Sequence, residues 1–252
     1  MPEELPRGLS AHPILPPSCA ANNGVTHRRA ALVQHFPLFS SIPIEECREI
    51  VYRAQQEEFS RRQTIYREGD PIGRIIFLIS GCVKVTQVGQ NGSEVILRLN
   101  GPGEVVGKVG LNKQARHCSM AQAVSASAAL VWDAGVFETL SQRFPVLRRN
   151  TLHSLSIRLE ELEERFREIS TERVASRLSR EIVRLLNQVG RPVNGTIEIS
   201  LSREELAQLI GTTLFTVSRL LSDWDQRGIV STRREGVAVN DLAALQQLAE
   251  CD

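Results

Sequence analysis

The sequence predicts an α+β fold in which an N-terminal antiparallel β roll, of the double-stranded jelly-roll type, precedes a long helix and a smaller, mostly helical domain. Three observations support this prediction. Short apolar runs broken by glycine fill the first half of the chain, a heptad pattern follows Pro145, and two helices with a β hairpin occupy the last third. The period of the apolar residues thus changes from strand-like to helical near Pro145.

The composition excludes several classes of protein. With 252 residues, of which 42% are hydrophobic and 23% charged, the chain can bury a core and is not disordered throughout. No run approaches about 18 consecutive apolar residues, so no membrane partner is expected. The start, Met1-Pro2-Glu3-Glu4, lacks the basic and apolar segments of a signal peptide, so we expect a cytoplasmic protein. A net charge of +1 does not by itself indicate nucleic acid.

Periodicity divides the chain into four parts. Residues 1–30 contain five prolines and no apolar periodicity, which predicts a mobile tail. Residues 31–145 form the predicted β-roll domain, which would hold an effector. Residues 146–170 form one predicted helix, and residues 171–252 the C-terminal domain.

The strands of the β roll are predicted from short runs separated by glycine turns. The clearest runs are Arg74–Ile79, Val83–Thr86, Glu94–Leu99 and Ala128–Trp132. Strands of this length, about ten residues apart, are typical of an antiparallel barrel or roll. Between two of them, Gln90-Asn91-Gly92 predicts a hairpin, because Asn-Gly tolerates the positive φ of tight turns.

The helix after Pro145 carries a narrow apolar stripe. Its members are spaced three and four residues apart over about two and a half heptads, and mostly Glu and Arg lie between them. The stripe either packs on the chain's own β domain or forms a parallel two-helix dimer interface. We favour the homodimer, because surface helices usually have a wider apolar face. The predicted dimer seam consists of Leu152, Leu155, Leu159, Leu162, Phe166 and Ile169.

Two helices joined by a glycine turn follow in the C-terminal domain. Ser202 and Glu205 predict a capping box at the start of the first helix. Ala207 is expected where the helices cross, and Gly211 in the turn, where a positive φ is needed. With a second helix over residues 214–224, this pattern is typical of a DNA-binding helix-turn-helix, and an ordinary helical hairpin is the alternative. The side chains expected to face inward are Leu206, Ile210, Val217 and Leu220.

A hairpin over residues 229–239, with Arg233 and Arg234 at its tip, predicts a wing beside the helix-turn-helix. Its arginines are expected to contact DNA phosphates, which sets position and affinity but not sequence. A solvated turn is the alternative for either arginine alone. Residues 171–252 contain ten arginines and eleven acidic residues, so DNA binding would depend on a local arginine face.

Three local motifs carry a resemblance to a known family. They are YREGD at 66–70, FLISGCVKV at 77–85 and GPGEVVG at 101–107. Together with the order of the elements over residues ~30–250, they resemble the CRP/FNR superfamily of bacterial transcription regulators. The resemblance implies a homodimer on near-palindromic double-stranded DNA, with recognition helices in successive major grooves about 34 Å apart. RNA polymerase is a further candidate partner.

By the family pattern, four residues of the second helix face base edges: Leu214, Phe215, Ser218 and Arg219. Arg219 is expected to bind guanine through two hydrogen bonds. Many family members have a glutamate that reads cytosine where this chain has Phe215, which would instead pack on a thymine methyl group. An unusual operator is therefore expected, with burial of Phe215 in the core as the alternative. The predicted DNA-binding residues are Ser202, Thr213, Leu214, Phe215, Ser218, Arg219, Arg233 and Arg234.

The resemblance also implies an effector pocket in the roll. In members that bind cyclic nucleotides, a Gly-Glu turn leads to a ribose-binding Glu, and an Arg-Ser pair holds the phosphate. Here Lys108 stands in place of that Glu, and His117-Cys118 in place of the pair. Without the guanidinium fork, binding of cyclic AMP is not expected. The candidate pocket residues are Gly103, Glu104, Lys108, Arg116, His117, Cys118 and Ser119, of which Arg116 and Ser119 would enter through a register shift.

Other cofactors are constrained by the five cysteines and five histidines. No Cys-x-x-C pair exists, and no metal site is predicted. The iron–sulfur cluster of oxygen-sensing members needs four cysteines, three of them close together near the N-terminus, where only Cys19 lies. Haem stays an alternative through His27, His35, or His117 with Cys118, as does a thiol switch at Cys118. The effector itself is left unassigned.

Two classes of function follow from these residues. The first is an effector-regulated, sequence-specific DNA-binding transcription regulator. The second is a metabolite-binding or enzymatic β-roll protein whose helical end only dimerises. No histidine–carboxylate cluster or nucleophile–base spacing suggests catalysis, so an enzyme is not expected.

Overall fold

The computed structural model describes residues 19–107, 115–193, 196–233 and 235–250. Its helices are α1 (Cys19–Val33), α2 (Ile44–Tyr52), α3 (Ala134–Arg143), α4 (Pro145–Thr171), α5 (Val174–Val189), α6 (Arg203–Ile210), α7 (Leu214–Gln226) and α8 (Leu242–Glu250), with a 3-10 turn at Pro37–Phe39. Its strands are β1 (Gln55–Phe59), β2 (Thr64–Tyr66), β3 (Arg74–Ser80), β4 (Val83–Val88), β5 (Glu94–Asn100), β6 (Val105–Val106), β7 (Met120–Ala123), β8 (Ser127–Asp133), β9 (Arg191–Val193), β10 (Thr196–Ile199), β11 (Val230–Arg233) and β12 (Gly236–Val239). None of these helices combines the length and the apolar character that a membrane span requires.

The predicted antiparallel β roll is confirmed. Two four-stranded sheets, ordered β1-β8-β3-β6 and β2-β7-β4-β5, face each other. Side chains alternate across β3, so that Ile76 and Leu78 pack between the sheets while Ile75 and Phe77 pack against helices. Because both faces of this strand are buried, its sequence is a continuous apolar run.

A helical layer covers the outer face of the first sheet. Trp132 on β8 is fully buried there, and its indole N–H donates to the carbonyl oxygen of Ile50 on α2 at 2.8 Å. The first helix contributes Ala30 and Val33 to the same core. The predicted tail over residues 1–30 is therefore wrong from Cys19 onward, because burial of these two small apolar residues orders the end of α1. Residues 1–18 lie outside the described residues.

Helix α4 has 27 residues, which gives a length of about 40 Å. Pro145 occupies its first turn, where the missing N–H costs nothing and the fixed φ favours a helix. The helix ends at Thr171, because Glu172 adopts an extended conformation before α5 begins. It thus connects the roll to the C-terminal domain.

The C-terminal domain packs α5, α6, α7 and α8 against a small sheet ordered β11-β12-β10-β9. Its core includes Leu178 and Ile182 on α5 and Trp224 on α7. The same core continues into the roll through Ile96 and Leu99 on β5. The roll and the C-terminal domain therefore share a packed interface in this structure.

Candidate nucleic-acid interface and effector pocket

The first helix of the helix-turn-helix begins with the predicted capping box. The Ser202 hydroxyl accepts a hydrogen bond from the Glu205 N–H at 3.2 Å, and the Glu205 carboxylate accepts one from the Ser202 N–H at 2.9 Å. The same carboxylate accepts from the Ser202 hydroxyl at 3.0 Å. Ser202, predicted as a DNA contact, thus already has its hydroxyl engaged in the cap.

The turn between the helices has the predicted left-handed residue. Gly211 has φ +66°, and its N–H donates to the carbonyl oxygen of Ala207. A residue with a Cβ rarely adopts this conformation, which explains the glycine. Thr213 then caps α7, because its hydroxyl accepts from the Thr216 N–H at 3.2 Å. Thr213 therefore fixes the start of the second helix.

The inward face of α7 anchors the second helix. Val217, Leu221 and Trp224 are fully buried, and Leu206 and Ile210 on α6 pack with them. Leu220, predicted to face inward, is half-buried and packs against this core, and Leu221, which was not predicted, is fully buried in it. The helix thus presents its opposite face to solvent.

The outward face of α7 carries the residues predicted to read DNA. Phe215 is 77% exposed, so the alternative of its burial in the core is wrong. Leu214 and Arg219 are also exposed, and Ser218 is half-buried between them. An exposed phenylalanine beside an exposed arginine provides an apolar and a charged group on one helical surface.

The predicted wing is formed by β11 and β12, and its arginines are only partly accounted for. Arg233 is exposed but forms an ion pair with Glu198 on β10 at 2.8 Å. Arg234 lies outside the described residues. Glu235 at the tip forms ion pairs with Arg61 at 2.8 Å and Arg62 at 3.4 Å, both on the β roll. The wing is thus attached to the roll, a contact that no sequence pattern predicts.

The heptad stripe of α4 lies in solvent. Its exposure runs up to 73% at Phe166, and no described part of the roll covers it. The alternative that the stripe packs on the chain's own β domain is therefore wrong. The exposed members are Leu152, Leu155, Leu159, Leu162, Phe166 and Ile169.

The opposite face of α4 contacts the roll and α5. Arg165 donates to the carbonyl oxygen of Leu97 on β5 at 3.1 Å and forms an ion pair with the buried Glu181 on α5 at 2.8 Å. Glu168, also buried, forms ion pairs with Arg180 and Arg184 of α5. One face of α4 is thus fixed to its own chain while the other is free.

The described residues of the predicted effector pocket have different surroundings, and Glu104 lies in a network of hydrogen bonds. The Glu104 carboxylate accepts from the Gly101 N–H at 2.9 Å and from the side-chain amide of Asn100 at 3.2 Å. It also accepts from Gln188 on α5 at 3.2 Å. Gly103 lies in the same turn with φ +91°. Glu104 therefore connects this turn of the roll to α5.

The remaining pocket residues divide between surface and interior. Arg116 is exposed and donates to the carbonyl oxygen of Gly69 at 2.7 Å, and Cys118 is exposed as well. His117 and Ser119 are buried, and the His117 ring stacks on Tyr66 with centroids 3.6 Å apart. Lys108 lies outside the described residues. The two residues that stand in place of the Arg-Ser pair thus point to different environments.

The alternatives that depend on cysteine or histidine, haem and a thiol switch, receive little support from the structure. His27 and His35 are exposed, and no three His, Cys, Asp or Glu of the described residues group as metal ligands would. Burial raises the pKa of the Cys47 thiol to about 11 and that of Cys82 to about 12. Cys82 belongs to the core shared with the C-terminal domain.

Two arginines that were not predicted as site residues lie beside this interior group, Arg98 on β5 and Arg158 on α4. Burial lowers the pKa of both guanidinium groups. Neither belongs to a motif, and their sequence separation gave no reason to pair them. A single arginine between apolar neighbours on β5 was the available signal.

Comparison with known proteins gives consistent matches. Two family models match the chain, a cyclic nucleotide-binding domain over residues 56–144 and a Crp-like helix-turn-helix domain over residues 172–248. A CRP-like cAMP-activated global transcriptional regulator of Mycobacterium tuberculosis is 24% identical over 214 residues, which cover 84% of this chain and 96% of that protein. The global nitrogen regulator of a Synechocystis species is 29% identical over 195 residues, 76% of this chain and 87% of that protein.

The fold is shared with solved structures. A CRP/FNR-family transcriptional regulator from Thermus thermophilus aligns with a TM-score of 0.68 at 22% identity, covering 78% of this chain and 99% of that chain. FixK2 from Bradyrhizobium japonicum aligns with a TM-score of 0.69 at 20% identity, covering 79% and 98%. The arrangement of roll, long helix and helix-turn-helix is thus found in proteins of known structure.

Proposed function

This chain belongs to the CRP/FNR family of DNA-binding transcription regulators, and we propose that two copies bind one near-palindromic site in duplex DNA. In this proposal α7 of each copy enters a major groove, and α4 of each copy forms the dimer interface. The observation that carries the proposal is the outward face of α7, where Phe215 and Arg219 are exposed while Val217 and Trp224 anchor the helix.

Arg219 and Phe215 would supply sequence recognition. An arginine can donate two parallel hydrogen bonds to the O6 and N7 atoms of guanine, and an aromatic ring can contact the thymine methyl group. Thr213 fixes the first turn of α7 through its cap on Thr216, which limits the positions that these side chains can reach. Arg233 would contact a phosphate after exchanging its pairing with Glu198.

The exposed seam of α4 supports the dimer. A parallel pair of helices buries such a heptad stripe from both chains, and their two-fold axis would set the two α7 helices about one turn of DNA apart, ~34 Å. This geometry requires a nearly palindromic site. RNA polymerase stays the second candidate partner, as for a regulator that acts at promoters.

We infer further that an effector bound in the roll controls DNA binding. The Mycobacterium relative is named as cAMP-activated. In this chain His117 is buried against Tyr66, and Cys118 is exposed, so the pair offers no guanidinium fork to a cyclic phosphate. The effector is therefore expected to differ from cyclic AMP.

The test begins with selection of bound duplexes from random DNA by the purified full chain. The affinity of the selected site is then measured by fluorescence anisotropy for Arg219→Ala and for Arg227→Ala. The second variant is a matched control, because Arg227 is exposed at the other end of the same helix and pairs with Asp223. Because both copies of the dimer lose the contact, Arg219→Ala is expected to weaken specific binding by at least about 30-fold, from ~1–3 kcal/mol per lost bidentate contact.

Two outcomes would count against DNA recognition through α7. One is the selection of no duplex at low salt, with or without added metabolites. The other is equal affinity of the two variants for the selected site, since α7 would then not read bases through Arg219. Selected sites without two related half-sites would contradict the symmetric dimer in particular.

A further inference from the structure

The tip of the wing is attached to the β roll by ion pairs. The Glu235 carboxylate accepts hydrogen bonds from Arg61 at 2.8 Å and from Arg62 at 3.4 Å. Both arginines lie between β1 and β2, 174 and 173 positions before Glu235 in the chain. Arg191 on β9, in the same small sheet as the wing, donates to the Ser125 hydroxyl of the roll at 3.3 Å. The C-terminal sheet therefore contacts the roll through charged side chains.

The turn that carries the two arginines is itself fixed in the roll. The Nε of Arg61 donates to the carbonyl oxygen of Val124 at 3.2 Å, and the N–H of Arg62 donates to that of Ala123 at 2.7 Å. The side-chain amide of Gln122 donates to the carbonyl oxygen of Arg62 at 3.0 Å. Arg62 has φ +66°, a conformation that a non-glycine residue keeps only where its surroundings impose it. The arginines therefore hold the wing from a fixed point of the roll.

A second attachment joins the C-terminal domain to the roll through α6. Lys84 on β4 forms an ion pair with Glu205 at 3.4 Å, and Gln208 donates to Glu94 on β5 at 3.3 Å. Leu99 on β5 belongs to the same buried core as α6. Apolar contact is non-directional, so the core part of this attachment resists separation of the domains more than rotation of one on the other.

Two separate attachments fix an orientation that one alone would leave free. A single contact at α6 allows the domain to pivot about it, whereas the contact of the wing with Arg61 and Arg62 blocks that rotation. In the proposed dimer α4 holds the two rolls together, so the orientation of each C-terminal domain on its roll sets the position of α7. One base pair more or less between half-sites moves a half-site by about 3.4 Å along the DNA and about 35° around it. A fixed wing would prevent α7 from following such a change.

We propose that the ion pairs of Glu235 with Arg61 and Arg62 are positioning contacts that determine which spacing of half-sites the dimer accepts. The inference rests on the proposed function, because it requires two copies on one near-palindromic site. It makes these three residues determinants of DNA specificity that contact no base. Glu235 also carries the charge that DNA phosphates repel, which argues for a role within the protein instead of one in DNA contact.

The test measures the affinity of the full chain for three duplexes by fluorescence anisotropy in about 0.1 M potassium chloride. They are the selected site and the same site with one base pair inserted or removed at its centre. The spacing selectivity is the ratio of the affinity for the selected site to that for each altered site. This ratio cancels the change in general attraction to DNA that a new charge causes.

The variants are Arg61→Glu, Glu235→Arg and the double variant with both changes. Arg74→Glu is the matched control, because Arg74 is an exposed arginine of the roll whose ion pair, with Glu57 at 2.8 Å, lies within the roll. The control thus has the same change of charge as Arg61→Glu but does not alter a contact between the domains.

Arg61→Glu and Glu235→Arg are each expected to reduce the spacing selectivity about fivefold, which corresponds to ~0.5 kcal/mol for each of the two exposed contacts in the dimer. The double variant restores the pair in reverse and should regain at least half of the logarithmic loss. Full recovery is not expected, because Arg62 then faces a like charge. Arg74→Glu should keep the selectivity of the wild type. All four variants should keep its Tm within about 2 °C, as for other surface substitutions.

Three results would overturn the assignment. They are wild-type selectivity in both single variants, an equal loss in Arg74→Glu, and a double variant whose loss is the sum of the single losses. In the last case the two residues would act separately and not through their contact. Each result, obtained with a selected near-palindromic site, contradicts this inference alone. Failure to select any duplex would instead remove the proposed function, and this inference with it.

Discussion

Helix α4 and the interior of the β roll depart from the usual distribution of side chains in opposite directions. The helix leaves six large apolar side chains in solvent, whereas Arg98 on β5 and Arg158 on α4 are half-buried, and burial lowers the pKa of both. Exposed apolar surface of this extent indicates an interface with a macromolecule. The Arg158 guanidinium, by contrast, already has acceptors within the chain, the carbonyl oxygens of Gly107 and Val105.

The apolar seam and one of the half-buried arginines lie on the same turn of α4. Arg158 points to the roll, while its neighbour Leu159 is exposed on the seam. Because Arg158 holds this turn of α4 against the roll, a rearrangement of the roll at Gly107 would rotate or shift the seam. Small shifts of packed helices at subunit interfaces are a common way of changing the spacing of distant elements, here the two α7 helices.

The largest expected effect is on the seam. Leu159→Asp should place a carboxylate from each chain in the dimer interface, at a cost of about 2 kcal/mol or more per chain, and so raise the dimer dissociation constant at least ~1000-fold. Sedimentation velocity measures this constant. Glu160→Ala is the matched control, at an exposed position of the same helix that neither belongs to the seam nor flanks it, and should leave the dimer unchanged.

If Leu159→Asp still formed a tight dimer, the exposed stripe of α4 would not be the dimer interface. The exposed stripe would then have another partner, and the spacing of the two α7 helices would need another explanation. Dissociation of both variants would instead indicate that the charged flanks of α4, rather than its apolar stripe, hold the chains together.

The next effect contrasts buried charges with and without partners. Glu168 is 4% exposed and accepts from Arg184 at 2.9 Å, with Arg180 at 3.5 Å. Glu168→Gln should destabilise the chain by about 1.5–3 kcal/mol, the usual value for hydrogen bonds to charged groups. Arg98→Gln should change stability in the opposite direction, because the Nε of Arg98 is buried without a hydrogen-bond partner within the described residues. The shift of the urea unfolding midpoint shows whether each variant is more or less stable than the wild type.

The control for this contrast is an exposed pair on the same helix. Glu164 and Arg167 form an ion pair at 2.6 Å with both side chains about half exposed. Glu164→Gln should therefore leave the unfolding midpoint unchanged. If Glu168→Gln and Arg98→Gln shifted the midpoint in the same direction, the distinction between paired and unpaired buried charge would fail.

The parts of the fold that could be predicted are those in which local sequence and burial agree. The capping box at Ser202, the left-handed Gly211 and the heptad stripe each follow from a short pattern with one physical cause. The strands with buried faces, such as β3 and β8, were found because their apolar residues are continuous. Leu214 and Arg219 were assigned to the outer face of α7 by the family pattern, and both are exposed there.

The parts that were missed depend on contacts between distant residues. Strand β1 has the sequence QQEEF with only Phe59 buried, because it is an edge strand paired with β8 alone. Arg98 and Arg158 are 60 positions apart and meet only after the roll packs on α4. Helix α1 lacks an amphipathic pattern, and its last turns are ordered by the core that they join.

The smallest expected effect is that of replacing Phe215, an exposed apolar residue on the proposed DNA-binding surface. Like the seam, it is apolar and exposed, so Phe215→Ala should leave the unfolding midpoint unchanged. It should weaken binding to the selected duplex by about 15-fold, since burial of a methyl-sized apolar group is worth about 0.8 kcal/mol in each of the two half-sites. Fluorescence anisotropy and urea unfolding on the same preparation measure both.

The identity of the base that Phe215 contacts gives a sharper test. Phe215→Glu replaces an apolar group by an acceptor for the cytosine amino group, so a repeated selection from random DNA should exchange a T·A pair for a C·G pair at one position of each half-site. Unchanged preference in the variant would mean that Phe215 lies away from the base edges. The exposed phenylalanine would then have to be explained, like the seam, by a contact with protein.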